Sequence, residues 1–389
     1  MDDNNFDEIF SWGKERGLKL HSCVSRLCVD GVYGMYATKD IPKFTVIAQY
    51  PKKSLLPTLD NVKYPENTPF FLKYAHAAAK EFSNPDSSWA CFREGLYSDT
   101  FFKDTNVYYF TEDEVNFLGK INRTLSDYIH TYRRRIETQI NSLCSFDKDL
   151  DKDLVEKILF NVLYRSWDEF GFIPILDMFN HSDLNGIQMH NDKDRVYLVA
   201  TVDYKEGDQI WNNYGKKDLY MHAIDYGYFD PTGNHFIDLG LRVSQVANSD
   251  FQKKLFEYLT TKYPILHDTS NDGLIRYKLS GGVAYLLDQA PNTRAIDFVR
   301  DISYGTEQEL SYRQCPLPRF KNRMLQYINV LSEANNIDNI SIEKFPEKLK
   351  YFYHMLEKEK TMLNNNKEWV LMANGESGII PPELLIEEN

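Results

Sequence analysis

Hydrophobic periodicity changes three times along this chain, and that order constrains the fold more than any single motif. Residues 18–56 read as short strands split by turns. In "GVYGMYATKDIPKFTVIAQYPKKSLL" two apolar runs, Met35–Ala37 and Thr45–Tyr50, flank a link that Asp40 and Pro42 make a turn. From Thr68 to Trp167 apolar residues recur at helical spacing, as in "TPFFLKYAHAAAKEF" and "DLVEKILFNVLYRSW". Thr111 and Glu114 open "TEDEVNFLG" with the spacing of a capping box. Period two returns at Gly186–His190 and Arg195–Val202, joined by the polar turn "NDKD", and a further turn follows at Glu206–Gly207. "KKDLYMHAIDYGYF" reads as a short helix capped by Gly227. After about Val243 the pattern is helical up to Glu359. It is clearest where Phe345, Leu349, Phe352 and Leu356 form one stripe. This is not a βαβ series, and no GxGxxG or P-loop motif is present, so a doubly wound nucleotide-binding sheet is disfavoured.

The expectation is an α+β chain, and 389 residues exceed one typical core. Residues 1–17 would form an N-terminal helix, amphipathic over Asn5–Gly17. Residues 18–243 would form a β-fold of short strands with a helical insert at about 60–165. Residues 244–364 would form an all-α domain, and 365–389 a poorly ordered tail.

Bulk chemistry narrows the function. Net charge is −12, nearly all of it in residues 1–250, whereas phosphate contact needs clustered Lys and Arg. The densest basic run, Tyr132–Glu137, lies in a helical pattern and reads as a solvated face, so no nucleic-acid partner is expected. Five scattered cysteines with no CxxC argue against a disulfide framework and against a zinc site. Reduced thiols fit a cytosolic or nuclear compartment. The acidic "MDDNNFDEIF" is unlike a secretory or organellar presequence, and no stretch reaches the ~18 apolar residues of a membrane span, so no membrane partner is expected.

Chemistry-bearing residues cluster in three places. "IPILDMFNHSD" begins like a buried strand and ends by placing Asp177, Asn180 and His181 within five residues. Those side chains could cap a turn, ligate a metal or bind a polar cofactor. Without a second His or Cys cluster the metal reading is weak, and on this stretch alone turn capping is favoured. "WNNYGKKDLYMHAIDYGYF" sets Tyr214, Tyr226 and Tyr228 around Gly215 and Gly227. Such stripes are usually core, but glycines let a backbone approach a ligand closely. "DGVYGMYA" places Gly31 and Gly34 at the head of a strand, for which a β-turn is the ordinary explanation.

The ordered set "DGVYGMYATKDIPKFTVIAQYPKKSLL", "YRSW…IPILDMFNHS" and "YKEGDQIWNNYGKKDLYMHAIDYGYF" resembles the SET-domain protein methyltransferases. More narrowly it resembles the branch holding the RuBisCO large-subunit lysine methyltransferase and the actin-histidine methyltransferase. The likeness covers about residues 18–243 by motif. It implies a SET domain split by a helical insert, a C-terminal helical substrate-binding domain, and S-adenosylmethionine bound beside a pseudoknot of the two SET motifs. It carries Asn180 and His181 to the adenosine, and Arg165 and Asp177 to the neighbourhood of the cofactor's amino-acid end. Val32 and Tyr33 go to the methionine portion. Tyr214 goes to the active-site tyrosine. Tyr226 and Tyr228 go to the aromatics that line the transfer pore and cover the adenine. Three departures stand out. Asp30 replaces the usual Glu, an extra residue separates Gly31 from Gly34, and Asp218 stands where Asn is common.

The implied chemistry is modest. A sulfonium is an activated electrophile, so a protein need only align a neutral nitrogen and exclude water. A free lysine has a pKa of about 10.4, so desolvation and nearby positive charge must favour loss of its proton. The resemblance separates the two branch activities at pocket positions. The histidine enzymes carry Asn two residues after the motif arginine and Trp before the motif aspartate. Here Trp167 and Leu176 stand there. An Asn can hydrogen-bond an imidazole and an aromatic wall suits an alkyl-ammonium stem, so lysine is favoured. Trp167 as a plain core residue is the competing reading. A protein-histidine methyltransferase and a SET-fold binding protein without turnover stay open. The substrate is expected to be a protein docked by the helical domain, and the chain is expected to be a monomer.

Overall fold

The computed structural model describes residues 3–29, 32–55, 62–66, 68–167, 170–182, 186–214, 219–230, 233, 235–242, 274–280 and 317–372. In chain order the main elements are α1 (Asp3–Glu15), β1 (Lys19–Leu20), β2 (Val24–Val29), β3 (Val32–Ala37), β4 (Val46–Pro51), α2 (Phe70–Ser83), α3 (Ala90–Glu94) and α4 (Asp99–Thr105). Then come α5 (Glu112–Ile121), α6 (Arg123–Phe146), α7 (Lys152–Arg165), β5 (Ile187–Asn191), β6 (Arg195–Ala200) and α8 (Leu219–Tyr226). The last are β7 (Phe236–Arg242), β8 (Leu274–Ser280), α9 (Leu317–Ala334) and α10 (Lys350–Met372). Contacts divide the chain into two units: Met1–Phe110 with His130–Lys216, and Thr111–Ile129 with Lys217–Asn389.

The first unit holds a four-stranded antiparallel sheet in the order β1-β4-β6-β5 and a separate β2-β3 hairpin. β6 alternates as its sequence predicts, burying Val196, Leu198 and Ala200. In β4 the register shifts between Val46 and Ala48, and a local irregularity of this kind lets consecutive Ile47 and Ala48 both be buried. α2 packs along α7, and the small buried residues Ala75, Ala78 and Ala79 permit close approach. Asp151 caps α7 by accepting from the Leu154 amide at 2.9 Å. Buried Asn161 on α7 accepts from the Tyr97 amide at 2.9 Å and donates to the Tyr97 carbonyl at 3.2 Å, which pins the loop ahead of α4. Tyr132–Glu137 is only partly a solvated face. Arg134 and Arg135 are exposed, but Arg133 is half-buried and donates to the carbonyls of Val107, at 3.0 Å, and Phe110. The Phe110 carbonyl lies between two helical turns, and the Val107 carbonyl, which also accepts the Phe110 amide at 3.3 Å, shares the guanidinium, which draws Arg133 inward.

In the second unit α5 opens with the capping box read from Thr111 and Glu114, both bonds being formed. α8 ends where Gly227 takes φ 68° and its amide bonds the Ala223 carbonyl at 3.1 Å. α10 packs against α8, α9 and β8. The stripe Phe345, Leu349, Phe352 and Leu356 is buried, with Phe345 just ahead of the helix. Two expectations are refined. β8 is a strand within the stretch read as helical. Its alternation of Ile275, Tyr277 and Leu279 with Arg276 and Lys278 sets apolar residues opposite Leu241, Leu239 and Ile237 of β7. α10 also continues past Asn364 to Met372, while 373–389 lie outside the described residues.

Candidate functional site

Segment 207–214 is the organising feature of the first unit. It begins beside β3, where the Ala37 amide bonds the Asp208 carbonyl at 2.9 Å and the Ile210 amide bonds the Met35 carbonyl at 2.7 Å. It continues beside the "IPILDMFNHSD" stretch. The Asn212 amide bonds the Asn180 carbonyl at 2.8 Å, and the Ser182 amide bonds the Asn212 carbonyl at 2.9 Å. Two distant sequence motifs are thus zipped along one backbone seam, with His181 paired in parallel to Asn212.

Side chains lock this crossing. Asn180 Nδ2 donates to the Tyr33 carbonyl at 2.8 Å. His181 Nδ1 accepts the Tyr214 amide at 3.0 Å, and the Tyr214 hydroxyl donates to the Phe179 carbonyl at 3.1 Å. The His181 and Tyr214 rings lie 5.0 Å apart. Tyr33, Asn180, His181 and Tyr214 therefore meet around one crossing, although 180 residues lie between the outermost pair in sequence. Val32 is the first residue of β3. The Arg26 guanidinium covers the Tyr33 ring at 3.8 Å.

Arg165 and Asp177 brace the turn from inside. Arg165 Nε and Nη2 reach Asp177 Oδ2 at 2.8 and 2.7 Å, and Nη1 donates to the Gly95 carbonyl at 2.7 Å. Their side chains are 3% and 0% exposed, so the pair is desolvated. Burial pushes the Asp177 carboxyl above its ordinary value, and Arg165 opposes this without offsetting it. Between them Ile175 takes φ 72°, a left-handed conformation that a β-branched residue rarely adopts. The sharp bend it makes separates the buried strand-like run from the polar end of the motif. Leu176 is fully buried. Trp167 is half-buried, and its backbone pairs with Gly171, the Trp167 amide bonding the Gly171 carbonyl at 2.8 Å.

Tyr226 and Tyr228 lie in the second unit, at the end of α8 and just beyond it. Their rings are 6.4 Å apart, and buried His222 packs on both, at 5.6 and 5.0 Å. Gly31, Asp30, Gly215 and Asp218 lie outside the described residues.

Two participants were not read from the sequence. Gln209 Oε1 accepts from the Tyr36 hydroxyl at 3.1 Å, while its buried Nε2 has no partner among the described residues. A Cβ at Gly34 would lie 2.3 Å from that Nε2 and 3.1 Å from Asn180 Nδ2, so glycine lets both amides sit this close to β3. The glycine was legible, but an isolated Gln in a polar turn carries no signal. A buried amide nitrogen without a partner, next to the Asn180 amide and the β3 backbone, fits a polar ligand rich in acceptors. Among the described residues no three His, Cys, Asp or Glu side chains are grouped to hold a metal ion.

Comparison with known proteins agrees with this geometry. Residues 32–215 match the family model of the SET domain. The chain is 26% identical over 263 residues to an actin-histidine N-methyltransferase of Danio rerio, covering 59% of this chain and 43% of that protein. It is 26% identical over 266 residues to the Gallus gallus protein of the same name, covering 60% and 44%. The chain thus matches less than half the length of these curated relatives. In fold it is similar to the SET domain of LSMT bound to lysine and AdoHcy, with a TM-score of 0.64 at 16% identity, covering 95% of this chain and 91% of that one. Rubisco LSMT bound to AdoMet matches with a TM-score of 0.63 at 16% identity, covering 94% and 91%. These are the two kinds of protein in the branch that the motifs resemble. Family model and fold thus agree over one region: residues 32–215, with β3 at one end and Tyr214 near the other, match the SET domain, and the chain as a whole is similar in fold to LSMT.

Proposed function

We propose that this chain is an S-adenosylmethionine-dependent protein methyltransferase acting on a lysine side chain. The observation that carries the reading is the crossing of segment 207–214 with Phe179–Ser182, which gathers Tyr33, Asn180, His181 and Tyr214 inside the SET match. Curated relatives named as methyltransferases, and LSMT structures holding AdoMet or AdoHcy, support the cofactor.

The bound cofactor would supply a methyl group already activated by its sulfonium. Asn180 and His181 would hold its adenosine, and the β3 backbone at Val32 and Tyr33 its methionine portion. Arg165 and Asp177 act behind the turn and keep Asn180 and His181 in register. The Tyr214 hydroxyl donates to the Phe179 carbonyl, so toward a bound nucleophile its oxygen would act as an acceptor. By the resemblance, Tyr226 and Tyr228 would be the aromatics that line a methyl-transfer pore. Desolvation there favours a neutral amine, because burial disfavours the ammonium.

Trp167 and Leu176 favour lysine over histidine, since neither hydrogen-bonds an imidazole nitrogen as an Asn would. The second reading, histidine, draws on the curated relatives, which are named as actin-histidine enzymes. Residues 244–364 would dock the protein substrate. The free thiols of Cys23, Cys28, Cys91 and Cys144 suit a reducing compartment, the cytosol or nucleus. Light scattering is expected to give the mass of one chain. Labelled transfer from S-adenosylmethionine into a protein lysate, followed by mapping of the modified residue, tests the activity and separates lysine from histidine.

A further inference from the structure

Glu359, on α10 in the second unit, carries a carboxylate that is fully buried. Its Oε2 accepts from Asn122 Nδ2 and Asn335 Nδ2, each at 2.9 Å, and its Oε1 accepts from the Tyr220 hydroxyl. The three donors come from the α5–α6 junction, the end of α9, and α8. Both asparagines are committed elsewhere as well. Asn122 Oδ1 accepts the Leu125 amide at 3.1 Å, and Asn335 Oδ1 accepts the Ile337 amide at 3.1 Å. The carboxylate is therefore a fixed point that four elements share.

α8 is the element with most need of such a point. At eight residues it is too short to hold itself, so its pose comes from tertiary contacts. Tyr220 is fixed on one side by Glu359 and on the other by Tyr128, whose ring stacks on it at 4.8 Å and 16°. Tyr226 is the last residue of the same helix, and Tyr228 follows through the Gly227 cap. Any rotation of α8 that moved Tyr226 would also pull the Tyr220 hydroxyl off the carboxylate.

We infer that Glu359 is a positioning residue for methyl transfer, setting Tyr226 and Tyr228 through its bond to Tyr220. This rests on the roles given above to those two tyrosines. It touches neither substrate nor cofactor.

The test uses the full chain with Tyr220→Phe, Glu359→Leu and Glu359→Gln. Tyr220→Phe deletes only the hydroxyl. Glu359→Gln keeps an acceptor toward the asparagines and an amide toward a rotatable hydroxyl, and serves as the rescue. The expected result is a kcat at least tenfold lower in Tyr220→Phe and Glu359→Leu, with cofactor Kd within twofold of wild type and Glu359→Gln near wild type. A fluorine label on the Tyr226 ring is expected to shift or broaden in Tyr220→Phe. If melting temperature falls while kcat and the fluorine signal stay put well below the melt, Glu359 is structural only and the inference is overturned. Should the wild type transfer no methyl, the functional proposal fails, and the fluorine signal still decides whether Glu359 sets Tyr226.

Discussion

His181 shows how a capped turn and a ligand site can be the same residues. Its Nδ1 accepts the Tyr214 amide, so the imidazole braces the turn, and under the proposed function it would also wall the ligand. His181→Ala is expected to weaken S-adenosylmethionine at least tenfold, about 1.4 kcal/mol, with a melting temperature within a few degrees of wild type, as read by calorimetry. The opposite pattern, a collapsed melt with unchanged affinity, would return the motif to an ordinary turn. The Arg165–Asp177 pair makes a sharper energetic demand. Removing one partner strands the other charge, at a cost of about 3–5 kcal/mol, whereas removing both for apolar groups costs less. In Arg165→Met, Asp177 keeps its burial without the guanidinium, so its folded pKa rises further above the unfolded value. Native protein then binds more protons than unfolded protein, and stability is greatest below the unfolded pKa and declines as pH rises through the folded one. Urea midpoints of Arg165→Met are expected to drop progressively more below wild type from pH 4 to pH 8. Adding Asp177→Leu is expected to recover part of the loss and flatten the pH profile.

Among the elements, turns carry the tightest constraints. Gly171 takes φ 69°, and a Cβ there would lie 1.8 Å from the Tyr74 ring, whose hydroxyl accepts the Phe172 amide at 2.5 Å. Gly171→Ala combines backbone strain with overpacking and is expected to cost about 3 kcal/mol or more by denaturant titration. At the start of α5, burial alone would raise the Glu114 carboxyl, but Lys348 and the Thr111 amide outweigh it and hold it below its ordinary value. The stabilisation is present above the unfolded pKa and is lost as pH falls through the folded one. Glu114→Gln is expected to cost about 1 kcal/mol at pH 7 and almost nothing at pH 3. These local features were legible to different degrees. The capping box and the Gly227 cap depend on residues within one turn, and both were read correctly. β8 was missed although its alternation is plain, because seven residues between helical stretches were outweighed by their surroundings. Glu359 was illegible for the opposite reason: Asn122, Tyr220 and Asn335 have no local pattern that points to a shared carboxylate.

For the molecule as a whole, the order of strand, helical block and strand was enough to exclude a doubly wound sheet and to anticipate the mix of short strands and helices, while the β7–β8 pair escaped it. The crossing itself was not derivable from periodicity. It depends on segment 207–214 pairing with β3 and then with Asn180–Ser182, and neither pairing leaves a periodic trace. Only the ordered motifs, taken together, pointed to it. Under the proposed function, the net charge of −12 would favour a target segment that is locally basic and make its encounter sensitive to salt. The most direct measurement of the central claim is methyl transfer from labelled S-adenosylmethionine into a protein lysate, by wild type and by Tyr214→Phe, with the site mapped by mass spectrometry. The account predicts label on a lysine side chain, at least tenfold less of it with Tyr214→Phe, and saturable cofactor binding by both. No saturable binding of the cofactor, or transfer that is unchanged in Tyr214→Phe, would contradict it.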